Sequence, residues 1–305
     1  MNHRRVGVSH IPSYALYLLA GVLCVYFLFV LARAFKESII IQKRDRINIV
    51  YYGRETELIS IGLTDGVHYI VSFSQNNKVS VPGGYGRYNV GALGKLAALE
   101  KTPDLIGKTF SSMISAHVDY YILPKEPEVY SGEDTDSPMF SQKSAISQMF
   151  SGPFVTNAHI FDKLYIAFLL SQRRQKDFAV LRSLSEEGED GNINFSERRF
   201  LKKFKGFFYH QSLRQEEKEV QIVYHRYSAA TTLSRVIEGQ GVRVVDLADG
   251  SISEGRKKCV LTAEDTTGKT IHYLARMFNC DVQKGSPEAS DIKLVMGTEL
   301  TEQWK

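Results

Sequence analysis

Residues 263–270 (AEDTTGKT) follow an apolar run and open a helical pattern, as a phosphate-cradling loop does. The chemistry of such a loop needs a first glycine and an uncharged cradle of main-chain amides. Here the first glycine is replaced by Ala263, and Glu264 and Asp265 place two negative charges where phosphates would sit. A helix N-cap at Thr266 or Thr267 explains the same residues, so the pattern does not favour a nucleotide site.

Cysteine and histidine are the next residue types that could take part in chemistry. Cys24 lies in an apolar segment, while Cys259 and Cys280 each begin a strand-like run. Two readings stay open for that pair: a disulfide between neighbouring strands, or two small buried hydrophobic side chains. The eight histidines are scattered and no CxxC or HExxH motif occurs, so we expect neither a metal site nor a cofactor.

The formal charge of the 305-residue chain is +4, and the whole excess belongs to residues 1–45. The remaining residues carry no net charge, so their composition does not indicate a large basic surface that would attract the phosphate backbone of a nucleic acid. The sequence therefore indicates no nucleic-acid partner. Its 43% hydrophobic and 24% charged content is that of a globular protein.

The N-terminal segment predicts a membrane-spanning helix. No charged residue occurs from Ile11 to Ala32, and at 1.5 Å per residue this stretch is about 33 Å long, matching a bilayer core of about 30 Å. We place a short tail at 1–10 and the transmembrane helix at 11–35, with the lipid bilayer as a partner. A cleaved signal peptide and a buried core helix are the alternatives. The basic residues after the span favour a cytoplasmic body.

Beyond the span, alternating apolar runs predict strands at Ile47–Tyr52, Leu58–Leu63, His68–Phe73 and Lys78–Val81. After a glycine-rich turn, helical spacing runs from Val90 to Ile114 and is interrupted at Thr102-Pro103. Another strand is expected at 117–123, followed by an acidic, proline-containing linker at 124–138 and helical material beyond it.

Three later segments complete the first half of the body. Helical spacing is assigned to Ile160–Arg182, with an apolar stripe (Phe161, Leu164, Tyr165, Phe168, Leu169) that favours packing against the sheet over a role at a membrane surface. Residues 186–194 are expected to form an acidic loop. A basic cluster at 198–205 alternates with phenylalanines and is either a solvated helix face or a site for anionic lipid or wall polymer.

The last third is a doubled unit. The first copy is a strand at 220–224, a helix at 228–238 and a strand at 242–247. The second copy is a strand at 259–263, a helix at 267–279 and a strand at 280–283, and a final strand follows at 291–296. Strand, helix, strand, twice over, predicts a small sheet covered by helices.

Several of these segments resemble a known family. Residues 219–300, above all SDIKLVMGTEL near the end, are similar to the C-terminal domain of LytR-type proteins. INIVYYG (47–53), the segment 85–92 and HVDYYI (117–122) resemble parts of the LytR-CpsA-Psr (LCP) domain. The resemblance implies an α/β protein: an N-terminal transmembrane helix, a divergent mixed α/β LCP-like domain at 46–215, and a small LytR C-terminal-like α/β domain with a doubled β-α-β unit at 216–305.

The resemblance also implies an extracytoplasmic body, against the charge count around the span. Catalytic members transfer glycopolymer from a polyprenyl pyrophosphate carrier with arginines, an aspartate and a divalent metal. Where the family has Arg-Ser-Asp-Thr, this chain has Arg54-Glu55-Thr56-Glu57, and its Pro-Arg-Asp has no counterpart after Pro82. Arg54 and Arg87 are therefore the candidate pyrophosphate-binding residues, and no catalytic carboxylate is assigned.

We expect a membrane-anchored, extracytoplasmic accessory factor that binds a cell-wall glycopolymer or an envelope protein without catalysis. One alternative is a surviving phosphotransferase, which would need Mg²⁺ and would present Arg54 and Arg87 to a lipid-linked pyrophosphate. The other is a membrane-tethered cytoplasmic regulator, which the charge count around the span favours.

Overall fold

The computed structural model describes residues 13–42, 44–131, 141–182, 184–187, 193–250 and 257–305. The predicted tail at 1–10 and the first residues of the predicted span lie outside this range. Helix α1 (Ser13–Glu37) contains one stretch, Tyr17–Lys36, that is long and apolar enough to cross a membrane, with a mean hydropathy of 2.3 and no burial against the protein. By length and composition alone, α1 is a candidate membrane anchor.

Within the described residues, the following α-helices and strands build the N-terminal part of the body. They are α2 (Ile39–Gln42), β1 (Arg46–Tyr51), β2 (Thr56–Gly62), β3 (His68–Phe73), β4 (Lys78–Val81), β5 (Gly86–Asn89), α3 (Leu93–Leu99), α4 (Asp104–Ile114), β6 (Tyr120–Pro124), α5 (Gln142–Phe150), β7 (Phe154–Thr156), α6 (Ile160–Ser171), β8 (Phe178–Arg182), β9 (Ser185–Glu187) and β10 (Ile193–Phe195). Two more helices, α7 (Glu197–Phe204) and α8 (Gln211–Glu216), lead to the C-terminal part.

A six-stranded mixed sheet in the order β7-β6-β1-β2-β3-β8 is the centre of this part. Strands β1 and β2 are buried on both faces, which explains their nearly continuous apolar sequence. Successive side chains point to opposite faces, so Val50 and Leu58 join one core with Phe110 of α4, whereas Ile49 joins a second core with Ile166 of α6. A four-stranded sheet in the order β5-β4-β10-β9 lies beside it.

The predicted helix at Ile160–Arg182 is wrong in its second half. Helix α6 ends at Ser171, and Phe178–Arg182 is an edge strand that pairs in parallel with β3, Phe178 opposite His68. The polar run 172–177 supplies no apolar residue to continue the helix stripe, whereas Phe178 and Leu181 both enter the core. The predicted acidic loop at 186–194 likewise contains strand residues, because β9 and β10 pair antiparallel across it.

The predicted packing of the α6 stripe is wrong for two of its five members, whereas Leu169 is buried and Tyr165 packs against the core. Leu164 and Phe168 are exposed, and the buried side of α6 is formed by Leu169 together with Asp162, Ile166 and Leu170. The helix is apolar on nearly every side, so spacing alone does not select its buried face. For the basic cluster the solvated-face interpretation holds: Phe200, Phe204 and Phe208 are buried and the cations of α7 are exposed.

The C-terminal part is a five-stranded sheet with its own core. Its elements are β11 (Glu219–Tyr224), α9 (Tyr227–Gly239), β12 (Arg243–Asp249), β13 (Val260–Ala263), α10 (Lys269–Phe278), β14 (Asp281–Lys284), β15 (Ile292–Val295) and α11 (Thr298–Trp304). The strand order is β12-β11-β15-β13-β14, so the two parallel β-α-β copies flank β15.

The predicted α/β class and the doubled unit are therefore confirmed, with boundaries displaced by one or two residues. Helix α11 was not predicted. Leu233, Ile271, Leu294 and Trp304 belong to a core separate from those of the first part. That separation supports the division of the chain at residue 216, which stays a prediction.

Candidate functional site: a cleft between the two parts

Arg54 and Arg87 lie on different parts of the fold. Arg54 is exposed in the turn between β1 and β2, where its carbonyl accepts a hydrogen bond from Nε2 of Gln75 at 2.9 Å. Arg87 is exposed on β5 and donates from Nη2 to Oδ1 of Asn194 at 2.8 Å. Within the described residues no hydrogen bond or ion pair joins the two arginines, and neither lines the cleft described below. Their role in binding pyrophosphate stays a prediction.

A carboxylate of the protein itself occupies the N-terminus of α10, where the AEDTTGKT segment ends. The main-chain amides of Lys269 and Thr270 donate to Oε1 and Oε2 of Glu216 at 2.9 and 2.6 Å, and the Thr270 hydroxyl donates to Oε2 at 2.6 Å. Glu216 thus satisfies the amides that a phosphate would need. Asp265 accepts from the amide and hydroxyl of Thr267, so this acidic side chain organises the turn.

Cys259 and Cys280 are joined by a disulfide, with a Cα–Cα distance of 4.7 Å. They directly precede β13 and β14, whose register places Val260 opposite Asp281. Parallel neighbouring strands therefore bring the two sulfur atoms together. Cys24 of α1 is free and exposed.

A cavity of about 370 Å³ opens between the N-terminal part and the C-terminal sheet. Helix α4 and the segment leading into β6 form one wall, and α10, α11 and the residues before β13 form the other. Its lining residues include Arg44, Asp104, Lys108, His117, Asp119, Tyr121, Asn157, Lys258, Cys259, Tyr273, Arg276, Phe278, Glu299, Gln303 and Trp304. We call this cavity the interdomain cleft.

A buried ion pair lies at one end of the interdomain cleft. The Arg44 guanidinium contacts Oδ1 of Asp119, and the Asn48 amide donates to Oδ2 of Asp119 at 2.8 Å. The Arg44 guanidinium carbon also lies 5.8 Å from the centre of the Tyr273 ring, a cation–π contact that crosses to α10. Burial alone would lower the pKa of Arg44, but Asp119 and other nearby groups raise it. Arg44 is thus held charged between the two parts.

Two histidines beside this ion pair are uncharged at neutral pH. Burial lowers the pKa of His117 to about 4 and that of His210 to about 4. Nε2 of His210 lies 3.3 Å from the hydroxyl of Tyr273, which donates to Oε1 of Gln240 at 2.7 Å. Nδ1 of His117 is buried with no hydrogen-bond partner among the described residues.

Lys108 and Arg276 are the cations that remain for a ligand. In the described structure no carboxylate lies within ion-pair distance of either, whereas Lys258 lies 4.0 Å from Asp281 and Asp104 accepts from the Tyr121 hydroxyl at 2.9 Å. Burial lowers the pKa of Lys108 although the nearby Asp104 carboxylate raises it, and burial together with Arg44 lowers the pKa of Arg276. Lys108 is half-buried and Arg276 is exposed, and cations that no described carboxylate pairs with favour an anion in the cleft.

Sequence reasoning missed Lys108, Arg276 and Tyr273. In the sequence analysis Arg44 counted only as one of the charges near the span, and Asp119 was part of the HVDYYI segment with no role of its own. These residues are far apart along the chain and carry no motif, so only the packing of α10 against the first part brings them together. Within the described residues no group of three His, Cys, Asp or Glu side chains could hold a metal ion.

No family model and no curated protein matches the sequence. Solved structures do match the fold. TagV of Bacillus subtilis is 9% identical over 53% of this chain and 96% of its own, with a TM-score of 0.36. TagT of B. subtilis is 13% identical over 52% and 88%, with a TM-score of 0.36.

A third match is the LytR-CPS2A-psr family protein YwtF (TagT) with bound octaprenyl pyrophosphate lipid, 12% identical over 55% of this chain and 92% of its own, with a TM-score of 0.37. The family named for this third protein is the one that the sequence resembles. At this level of similarity the likeness concerns the arrangement of helices and strands, and it assigns no ligand and no residue role to this chain.

Proposed function

We propose that this chain is a membrane-anchored, extracytoplasmic protein that binds an anionic cell-wall glycopolymer in the interdomain cleft and does not transfer it. The observation that carries the proposal is the pair of cations, Lys108 and Arg276, which face one cavity with no carboxylate of the described residues within ion-pair distance of either. Phosphate groups of a polymer would supply the missing charge through charge-assisted hydrogen bonds. Of the acidic lining residues, Asp119 pairs with Arg44, Asp104 accepts from the Tyr121 hydroxyl and lies close enough to Lys108 to raise its pKa, and Glu299 is exposed.

The remaining lining suits a sugar-containing ligand. Tyr121, Phe278 and Trp304 line the cleft with aromatic rings that are otherwise largely buried, while Asn157 and Gln303 add neutral hydrogen-bonding groups. Aromatic rings with a few convergent polar groups are typical of small-molecule and polymer sites, and the volume is in the usual range of several hundred Å³. A cleft of this size would take one or two repeating units of a polymer rather than a folded partner.

The disulfide supports the extracytoplasmic orientation. Disulfides persist in oxidising compartments and are rare in the cytosol. Cys259–Cys280 therefore weighs against the charge count around α1, which favours a cytoplasmic body. A membrane-impermeant thiol reagent, applied after mild reduction to intact cells that express a Cys24→Ala variant, tests this. Labelling of Cys280, the more exposed cysteine of the pair, is expected, and labelling only after lysis would support the cytoplasmic regulator instead.

Binding of a glycerol-phosphate oligomer to the full chain in lipid nanodiscs tests the ligand. The Lys108→Gln, Arg276→Gln double variant should bind at least roughly tenfold more weakly, since each charge-assisted contact is worth about 1.5 kcal/mol or more. Lys95→Gln, an exposed lysine on α3 outside the cleft, is the matched control and should bind normally. Equal binding by all three proteins would refute the cleft as the site.

The non-catalytic part of the proposal has its own test. A labelled polyprenyl-pyrophosphate glycan donor with Mg²⁺ should be left intact by the full chain. Glycan transfer that is lost in Arg54→Ala and Arg87→Ala, but kept in the Lys108→Gln, Arg276→Gln variant, would establish the phosphotransferase alternative. That result would place the chemistry at the two arginines rather than at the cleft.

A further inference from the structure

Helix α6 presents an apolar face that no described element covers. Ile160, Leu164 and Phe168 are spaced four residues apart on one side and are 51%, 54% and 57% exposed. Ile40 and Ile41 of the neighbouring α2 are exposed as well. We call these five side chains the α6 face. Contiguous exposed apolar residues of this kind mark a surface that has a partner.

The candidate membrane anchor leaves the bilayer beside this face. The Phe35 ring, in the last turns of α1, packs edge-on against Phe161 of α6 with 5.5 Å between ring centres. Four residues later, the Ile39 amide donates to Oδ1 of the buried Asp162 at 3.0 Å, and the Ile39 side chain is buried in the core. The end of the anchor is therefore fixed to α6 by a ring contact and a buried hydrogen bond.

The depth of the α6 face follows from this attachment. The apolar stretch Tyr17–Lys36 has 20 residues, about 30 Å of helix, which fills the hydrocarbon core. Ile40 and Ile41 come four and five residues after its end, and Ile160 adjoins the residue that Phe35 contacts. Headgroup layers extend the bilayer by about 5–7 Å on each side of the core. The start of α6 thus lies at the level of the headgroups.

Charge at both ends of the surface is complementary to anionic lipid. Lys36 is exposed where the anchor ends, and Arg174 and Lys176 are exposed just beyond the last turn of α6. An apolar helix face flanked by lysine and arginine is the pattern of helices that lie in the membrane interface.

We propose that the α6 face lies in the interfacial layer of the bilayer that α1 crosses, so that the body is held against the membrane at two points. This inference depends on the anchor role of α1 within the proposed function, and it is independent of the cleft and its ligand. Seated this way, the body has a fixed orientation on the membrane instead of rotating about a single helix.

Site-specific probes on the full chain test the contact. In a Cys24→Ala background that keeps the disulfide, an environment-sensitive fluorophore is attached at Leu164→Cys or Phe168→Cys. The matched control is Leu99→Cys on α3, another exposed apolar position, and Leu23→Cys reports insertion of α1 itself. Each protein is reconstituted into phosphatidylcholine and phosphatidylglycerol nanodiscs with or without nitroxide-labelled lipid.

Insertion of the α6 face predicts roughly two- to threefold quenching by the nitroxide lipid at positions 164 and 168, and none at position 99. Quenching at position 23 with none at 164 or 168 would overturn the inference while leaving the anchor intact. Absence of quenching at position 23 would overturn both. A blue shift at 164 without lipid quenching, together with cross-linking between copies, would assign the face to self-association and would also overturn the inference.

Discussion

The guanidinium of Arg44 is paired with the carboxylate of Asp119, and this ion pair joins the segment that leaves α1 to the central sheet and to α10. Its side chains are 14% and 1% exposed. Removing one partner of a buried pair leaves the other charged and unsolvated. The contact therefore matters more for the cohesion of the two parts than an exposed ion pair would.

Asp119→Asn should lower the free energy of unfolding of the full chain in detergent by about 3–5 kcal/mol, because Arg44 stays buried without its counter-charge. Urea denaturation followed by tryptophan fluorescence measures this, since Trp304 lines the same cleft. The control is Arg243→Gln, which breaks an exposed pair with Glu219 and should cost less than about 1 kcal/mol. Equal losses in the two variants would contradict a buried role for Arg44–Asp119.

The strands and helices could be predicted from the sequence much better than the cleft could. Alternating apolar residues located β1 to β4 within two residues because each of these strands buries side chains on at least one face. The continuation of the helix past Ser171 was wrong, since Phe178 and Leu181 satisfy a strand through pairing with β3, which no local pattern shows. Lys108 and Arg276 could not be predicted, because their significance comes only from the docking of distant segments.

Replacing Glu216 tests whether its carboxylate stabilises α10. Glu216→Ala removes the acceptor of two amides and a hydroxyl and should cost about 1–2 kcal/mol of stability. Glu217→Gln, at the exposed neighbouring position, should cost little. ATP should leave the melting temperature of the parent protein unchanged, since Glu216 already fills the position of a phosphate. Stabilisation of the parent by ATP, lost on mutating Lys269, would contradict this account.

A close backbone approach at Gly239 links the two parts at another point. A Cβ at Gly239, the last residue of α9, would lie 1.5 Å from the carbonyl oxygen of Ser115, just past α4. The carbonyl oxygen and the carbonyl carbon of Ser115 both belong to the main chain, so neither can rotate away from an added methyl group. Gly239→Ala should cost about 3 kcal/mol through displacement of α9 from α4. Gly152→Ala, where a Cβ meets nothing within 4 Å, should be nearly neutral, and the prediction fails if the two variants melt alike.

Acidification should destabilise the contact between the two parts through His210. Burial lowers its pKa to about 4, with Arg44 and His117 opposing its protonation further and Asp119 and Asp45 favouring it. The unfolded chain binds a proton near pH 6.5 and the folded chain only near pH 4, so the free energy of unfolding falls as the pH drops between these values.

The contribution of His210 to this loss is up to about 3 kcal/mol, at 1.36 kcal/mol per pKa unit. His210→Gln should therefore lose less stability than the parent between pH 7 and pH 4.5, measured by urea denaturation across that range. His225→Gln, an exposed histidine beside Gly250, should follow the parent curve. His117, whose pKa is also about 4, contributes a further dependence of the same sign, so His210→Gln should reduce the acid sensitivity without abolishing it. A His210→Gln curve parallel to that of the parent would show that His210 is protonated as readily in the folded chain as in the unfolded one.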